Sequence, residues 1–165
     1  DSDADAMATF WHEITHNRHK GLGNANAGGK YSKTRRYMEL ANEFVARKTL
    51  PEFYKVLGCK KTPHTQYIDS RSSTGYNEMV TNYDSVVKGL KLKETKVLDA
   101  VRKHLFTEDY IKQKEGLRLG LQAGGIKKLD GSKPTTAELN KIIELCESGS
   151  RTTLNNWLKT NGFTK

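Results

Sequence analysis

The apolar residues of this chain recur at helical spacing, and this pattern constrains its fold more than any other feature. A half-buried strand requires apolar and polar residues to alternate, and such alternation is confined to short segments such as TQYID at 65–69. The segments with helical periodicity are 3–19, 32–48, 51–58, 76–90, 94–106, 107–121, 135–147 and 151–161. The sequence therefore predicts a mainly α fold.

Glycine and proline divide these predicted helices. The segment KGLGNANAGGK (20–30) holds four glycines and is typical of a loop, and residues 60–75 also lack a helical pattern. Pro51 follows Leu50 within an otherwise helical pattern, so we expect the second helix to end there and a short separate helix to follow.

The charge of the chain is basic and uneven. The 165 residues carry a net charge of +9, and residues 91–165 hold 15 Lys and Arg against 9 Asp and Glu. Such an excess favours contact with nucleic acid through the second half, and it is equally compatible with a solvated surface.

The sequence argues against a membrane-spanning protein, a secreted protein and a cysteine-ligated zinc site. No apolar run is long enough for a transmembrane helix, and the first residues lack the basic and apolar regions of a signal peptide. The two cysteines, Cys59 and Cys146, have no CxxC partner, which argues against a cysteine-ligated zinc site. We expect a cytoplasmic protein with reduced thiols. The chain does not begin with Met, so we also expect it to be a piece of a longer polypeptide.

Residues 12–16 read HEITH, the spacing of an HExxH zinc motif. On a helix, residues four apart share a face at about 5–6 Å between Cβ atoms, so His12 and His16 can bind one Zn²⁺. Glu13 can then take a proton from a water molecule whose pKa the metal lowers. Trp11 is a large apolar anchor directly before the motif.

A catalytic zinc site needs a third protein ligand, and three glutamates are candidates. Glu43 lies in NEFVA on the second predicted helix, and Glu39 lies one turn earlier on the same face. Glu78 lies in GYNEMVTNYD, much later in the chain. The pattern favours Glu43 and leaves Glu39 and Glu78 open.

HEITH followed by a glycine-rich segment and NEFVA resembles the zincin metallopeptidases of the gluzincin type, and especially the lethal-factor-like peptidases. The resemblance covers about residues 4–50. It implies that His12, His16 and Glu43 bind zinc, that Glu13 is the general base, and that the substrate is a peptide or protein. That family often has an acid four residues after the ligand, but here the position is Arg47. The departure leaves two arrangements: Glu39 supports the site from the other side, or Glu39 binds the metal and Glu43 supports it.

Cleavage of an amide also needs a hydrogen-bond donor for the developing oxyanion. Tyr31 and Tyr37 precede Glu43 and are the first candidates, although Tyr37 lies on an apolar face that suits core packing. His64 and Tyr76 are further options. His19 follows His16 at the wrong spacing and context for a zinc ligand.

The C-terminal segment 135–163 resembles a helix-turn-helix, with short polar side chains from Ser150 to Asn156 at the start of its second helix. A plain helical hairpin that covers a core has the same pattern. We therefore expect a zincin-like metallopeptidase domain over residues 1–90, with its sheet reduced or missing, and a basic helical extension over 91–165. The alternative is a basic helical nucleic-acid-binding module in which HEITH is incidental or a structural metal site.

Overall fold

The structure, a computed structural model, describes residues 2–18, 32–60 and 76–165 of the chain. These residues form α-helices, with one 3₁₀ turn and no strand. The helices are α1 (Ser2–His16), α2 (Ser32–Val56), α3 (Asn77–Gly89), α4 (Glu94–Thr107), α5 (Gln113–Gly124), α6 (Thr136–Ser148) and α7 (Arg151–Thr160), and the 3₁₀ turn is Tyr110–Lys112. The prediction of a mainly α fold is confirmed. The predicted loops at 20–30 and 60–75 and the segment TQYID fall almost entirely outside the described residues.

Helix α2 is the centre of the fold. It packs against α1, α3, α4 and α5. Its residues 37–47 are all buried, including the acids Glu39 and Glu43 and the base Arg47. Since ionised side chains are almost never fully buried unless they are paired, these three residues require partners inside the fold.

Helix α2 runs through Pro51 instead of ending before it, so the predicted break is wrong. Its 25 residues continue to Val56. Proline removes one backbone hydrogen bond, which costs about 3 kcal/mol or more in a helix interior. The residues around it, Leu50 and Tyr54, are buried in a cluster with Ala8 of α1, and this packing favours the continuous helix.

Helix α1 lies along α2 and is fixed to it by Trp11. The indole ring stacks on Phe53 with centroids 4.3 Å apart, and its Nε1 donates a hydrogen bond to Thr49 Oγ1 at 2.9 Å. This contact confirms that the residue before the HEITH motif anchors the helix. It also fixes which face of α1 turns towards α2.

Helices α4 and α5 approach closely because α5 presents glycines to α4. A Cβ added at Gly120 would lie 2.6 Å from Val101 Cγ2 and 2.7 Å from the Tyr83 hydroxyl, and one at Gly124 would lie 2.5 Å from Val97 Cγ2. The predicted helix over 107–121 starts later than expected. Residues 108 and 109 are extended, the 3₁₀ turn buries Tyr110, and α5 begins only at Gln113.

A single large hydrophobic cluster runs from α2 to the C-terminal residues. It includes Leu40 and Tyr83 from the first half and Leu121, Ile143 and Phe163 from the second. The cluster therefore includes residues from both sides of the predicted boundary at residue 90. None of the described helices has the length and apolar character that crossing a membrane requires.

Candidate metal centre

The two histidines of HEITH lie on the face of α1 that meets α2. Their ring centroids are 4.5 Å apart, with the ring planes inclined by 75°. His12 is 5% exposed, and the side chain of His16 is 14% exposed. The four-residue spacing therefore produces the arrangement that the motif predicts, with two imidazoles side by side in a sheltered position.

Glu39 of α2 completes a group of three possible metal ligands. Its Oε2 lies 2.9 Å from His16 Nε2 and 3.5 Å from His12 Nε2. One ligand atom from each of these residues lies within 4.8 Å of the other two. Zinc bonds nitrogen and carboxylate oxygen at about 2.0–2.2 Å, so a single ion between these atoms can reach all three after small rotations of the side chains.

Glu43 contacts the opposite edge of the His12 ring. His12 Nδ1 donates to Glu43 Oε2 at 2.5 Å, and Arg47 Nε donates to Glu43 Oε1 at 2.7 Å. The motif spacing favours Glu43 as the third ligand, but the structure groups Glu39 with the histidines and places Glu43 behind His12. This geometry is compatible with the second of the two arrangements, in which Glu39 would bind the metal and Glu43 would support it. A carboxylate in this position fixes the tautomer and the orientation of a metal-binding histidine.

No protein-family model, curated protein or solved structure matches this chain. The site is therefore interpreted from its own residues.

The ionisable side chains around His12 shift one another's pKa values. Burial lowers the pKa of His12, but hydrogen bonds with Glu39 and Glu43 outweigh it and raise this pKa to about 9. Burial raises the pKa of Glu43, whereas the hydrogen bond from His12 and the charge of Arg47 outweigh it and hold this pKa below its usual value. At neutral pH the metal-free site thus contains a protonated His12 between two carboxylates. A metal ion has to displace that proton.

The backbone of α1 is also held at the site. Asn42, which is completely buried between the two acids of α2, donates from Nδ2 to the carbonyl oxygen of His12 at 3.2 Å. This bond sets the position of α1 along α2 at the level of the histidines. Nothing in the sequence pattern identified Asn42, because a buried asparagine on an apolar face has no distinctive spacing.

Tyr76, at the start of α3, brings a phenol to the group. Its ring lies nearly parallel to the His12 ring, with centroids 6.1 Å apart and planes inclined by 15°. Its side chain makes a hydrogen bond with Glu39, and burial together with the Glu39 charge raises its pKa. Of the two described tyrosine candidates, Tyr76 contacts the group and Tyr37 does not, although the spacing ranked Tyr76 below Tyr31 and Tyr37.

The other two tyrosines considered as oxyanion donors, Tyr37 and Tyr31, lie elsewhere or are not described. Tyr37 belongs to the hydrophobic cluster, with Lys114 Nζ 5.2 Å from its ring centroid, and burial raises its pKa to about 12. The core-packing interpretation of Tyr37 thus agrees with its position. Tyr31 lies outside the described residues, as do His19 and His64.

Two acids of the sequence prediction are exposed. Glu13 follows His12 on α1 and faces solvent, and Glu78 lies exposed in the first turn of α3. Glu78 is not a member of the three-residue group. Its helical neighbour Asn82 is buried and donates to the Gly149 carbonyl at 2.9 Å, so that part of the segment has a packing role.

The predicted helix-turn-helix forms a hairpin of α6 and α7 whose polar end is partly engaged within the fold. Ser150 caps α7 by accepting from the Thr153 amide, and Arg151 Nε donates to Asn82 Oδ1 at 2.7 Å. Thr152, Asn155 and Asn156 are exposed. Contact of this hairpin with nucleic acid remains a prediction.

Proposed function

We propose that this protein is a zinc-dependent hydrolase of peptide bonds, with the metal held by His12, His16 and Glu39. The observation that carries the proposal is the convergence of three ligand atoms within 4.8 Å on two packed helices. The additional carboxylate on His12 Nδ1, at 2.5 Å, is the type of support that metal-binding histidines need.

The donor set fits zinc better than a hard cation. Two imidazoles and one carboxylate are ligands that zinc accepts in catalytic sites, where the fourth position stays open. Magnesium and calcium prefer oxygen ligands alone. The three side chains come from two helices, and Tyr76 at the start of α3 contacts the group from a third direction.

The metal ion and two side chains would share the chemistry. Zinc held at this site would polarise a water molecule and the carbonyl of the scissile peptide. Glu13, which is exposed directly after His12 on α1, would have to turn its side chain towards the attacking water to act as the general base. In that position it would take the proton of the water and pass it to the leaving amine. The Tyr76 hydroxyl would donate a hydrogen bond to the oxyanion that develops on the substrate.

The first test is zinc binding by the purified chain, measured as metal content and by titration. We expect about one zinc per chain for the parent and loss of that zinc in Glu39→Ala. The matched control is Glu78→Ala, which removes an exposed glutamate from α3 and should leave zinc content unchanged. If the parent binds no zinc after supplementation, or if Glu39→Ala retains it, the proposed ligand set is wrong.

The second test separates catalysis from metal binding. We expect Glu13→Gln to keep one zinc and to lose hydrolysis of a fluorogenic peptide library by about 100-fold or more. Tyr76→Phe, assayed at saturating zinc because it also loses a hydrogen bond to the ligand Glu39, should lower kcat with little change in KM, because its hydrogen bond to the substrate would strengthen only in the transition state. A parent that binds zinc but cleaves no peptide would leave a metal site without peptidase activity.

A further inference from the structure

Arg47 is a buried cation with two separate partners beside the metal group. Its side chain is 5% exposed, its Nε donates to Glu43 Oε1 at 2.7 Å, and its Nη1 donates to Asn77 Oδ1 at 2.9 Å. Glu43 belongs to the same helix, whereas Asn77 is the first residue of α3. One guanidinium therefore connects the carboxylate behind His12 to a different helix.

The two oxygens of Glu43 have different partners. Oε2 accepts from His12 Nδ1, and Oε1 accepts from Arg47 Nε. Without the guanidinium, the carboxylate would lose the contact that fixes its rotation and the charge that balances it at 1% exposure. The hydrogen bond from His12 Nδ1 to Glu43 Oε2 orients the His12 ring and directs its Nε2 towards Glu39. The position of the Glu43 carboxylate in turn depends on its bond with Arg47.

The start of α3 is connected to both Glu39 and Glu43. Asn77 reaches Glu43 through Arg47, and its neighbour Tyr76 makes a hydrogen bond with Glu39. Both connections therefore come from two consecutive residues. A displacement of this turn would move the supports of the ligand and of the orienting carboxylate together.

We propose that Arg47 is a positioning residue of the metal centre, and that Asn77 links it to α3 so that the first turn of this helix sets metal affinity. The inference rests on the proposed zinc site. It assigns a role to Arg47, which occupies the position where the lethal-factor-like peptidases often have an acid. Removing a hydrogen-bond partner outside the ligands typically costs 10–100-fold in metal affinity.

The test is the zinc dissociation constant, measured by competition with a chelator, in a series of variants of the full chain. We expect a loss of about 10–100-fold for Arg47→Met and a smaller loss for Arg47→Lys, because lysine keeps the charge but lacks the planar fork. Asn77→Ala should weaken zinc binding by about tenfold. Asn77→Asp should bind zinc with nearly the affinity of the parent, because aspartate keeps the acceptor oxygen. The matched control is Arg36→Met, an arginine of α2 whose partner is Glu147 of α6.

A second readout separates positioning from general stability. The ¹⁵N shifts of His12 in the zinc-bound protein report whether Nδ1 carries the proton, and we expect Arg47→Met to alter them while Arg36→Met does not. If Arg47→Met does not fold, the Asn77 pair still decides. Parent-like affinity in Asn77→Ala, or in a folded Arg47→Met, would overturn the inference. Failure of the parent to bind zinc would instead overturn the proposed function.

Discussion

At the scale of single residues, the site depends on which of two glutamates faces which edge of His12. Glu39 and Glu43 are one turn apart on α2, and the sequence predicts that both lie on the face towards α1. The spacing cannot decide between them, because the answer depends on how far α1 is displaced along α2. The structure sets that displacement through Asn42, which holds the His12 carbonyl, and through Trp11 on Thr49.

The zinc binding that we propose should depend on pH because of the proton on His12. Zinc binds the neutral imidazole, and the His12 pKa of about 9 means that the metal-free site is protonated at neutral pH. The apparent zinc affinity should therefore rise by about tenfold per pH unit between pH 6 and 8 from His12 alone. Titrations with zinc at pH 6, 7 and 8 check this.

The matched variant for that experiment is Glu43→Gln. Removing the carboxylate takes away one of the hydrogen bonds and charges that raise the His12 pKa, so the dependence on pH above 7 should become shallower. A parent whose zinc affinity is constant above pH 6.5 would contradict the prediction.

At the scale of helices, periodicity predicted most elements, and tertiary packing decided where they end. Pro51 was predicted to end α2, yet burial of Leu50 and Tyr54 carries the helix through it. The predicted helix over 107–121 contains a 3₁₀ turn because Tyr110 is buried there. Neither exception is visible locally, since each depends on a contact with a residue distant in sequence.

The α4–α5 contact makes a sharp prediction for Gly120. Replacing it with Ala places a methyl group 2.6 Å from Val101 Cγ2 and 2.7 Å from the Tyr83 hydroxyl, so these side chains or the helices that carry them must shift. We expect Gly120→Ala to lower the free energy of unfolding by about 1–3 kcal/mol, as overpacking usually does. Urea unfolding followed by circular dichroism measures the change.

Gly89 provides the control for that substitution. It lies in the last turn of α3, and a Cβ there would meet no atom within 4 Å. Gly89→Ala should leave stability unchanged or raise it by up to about 1 kcal/mol, because alanine has the higher helix propensity. Equal destabilisation by both substitutions would show that close packing at Gly120 is not the cause.

At the scale of the whole molecule, the sequence could predict the helical class and the two histidines. It could not predict that the start of α3 lies beside them. Tyr76 and Asn77 approach the metal group only because α3 packs against α2. Residue 76 is 60 positions after His16 in the chain, and no spacing rule joins them. Arg47 is a departure from the family pattern in the sequence and a connecting residue in the fold.

Metal binding should stabilise the whole chain. Zinc that binds the folded state alone adds about 2.7 kcal/mol at a free concentration 100 times its dissociation constant. For a chain of this length we expect the melting temperature to rise by about 5–10 °C relative to the protein in chelator. Differential scanning calorimetry measures the shift, and Glu39→Gln should abolish it. No shift in the parent at saturating zinc would contradict a site formed only in the native state.

Among the described residues, helix α1 has its main contacts with α2. Its histidines are on one side of the metal group, and Glu39 is on the other. Without metal, the amides of α1 should exchange with deuterium through a local opening that leaves the remaining helices closed. With zinc bound, the same amides should exchange only as fast as the ion dissociates. The rate at which the protein loses its metal would then be readable, residue by residue, from the exchange of a single helix.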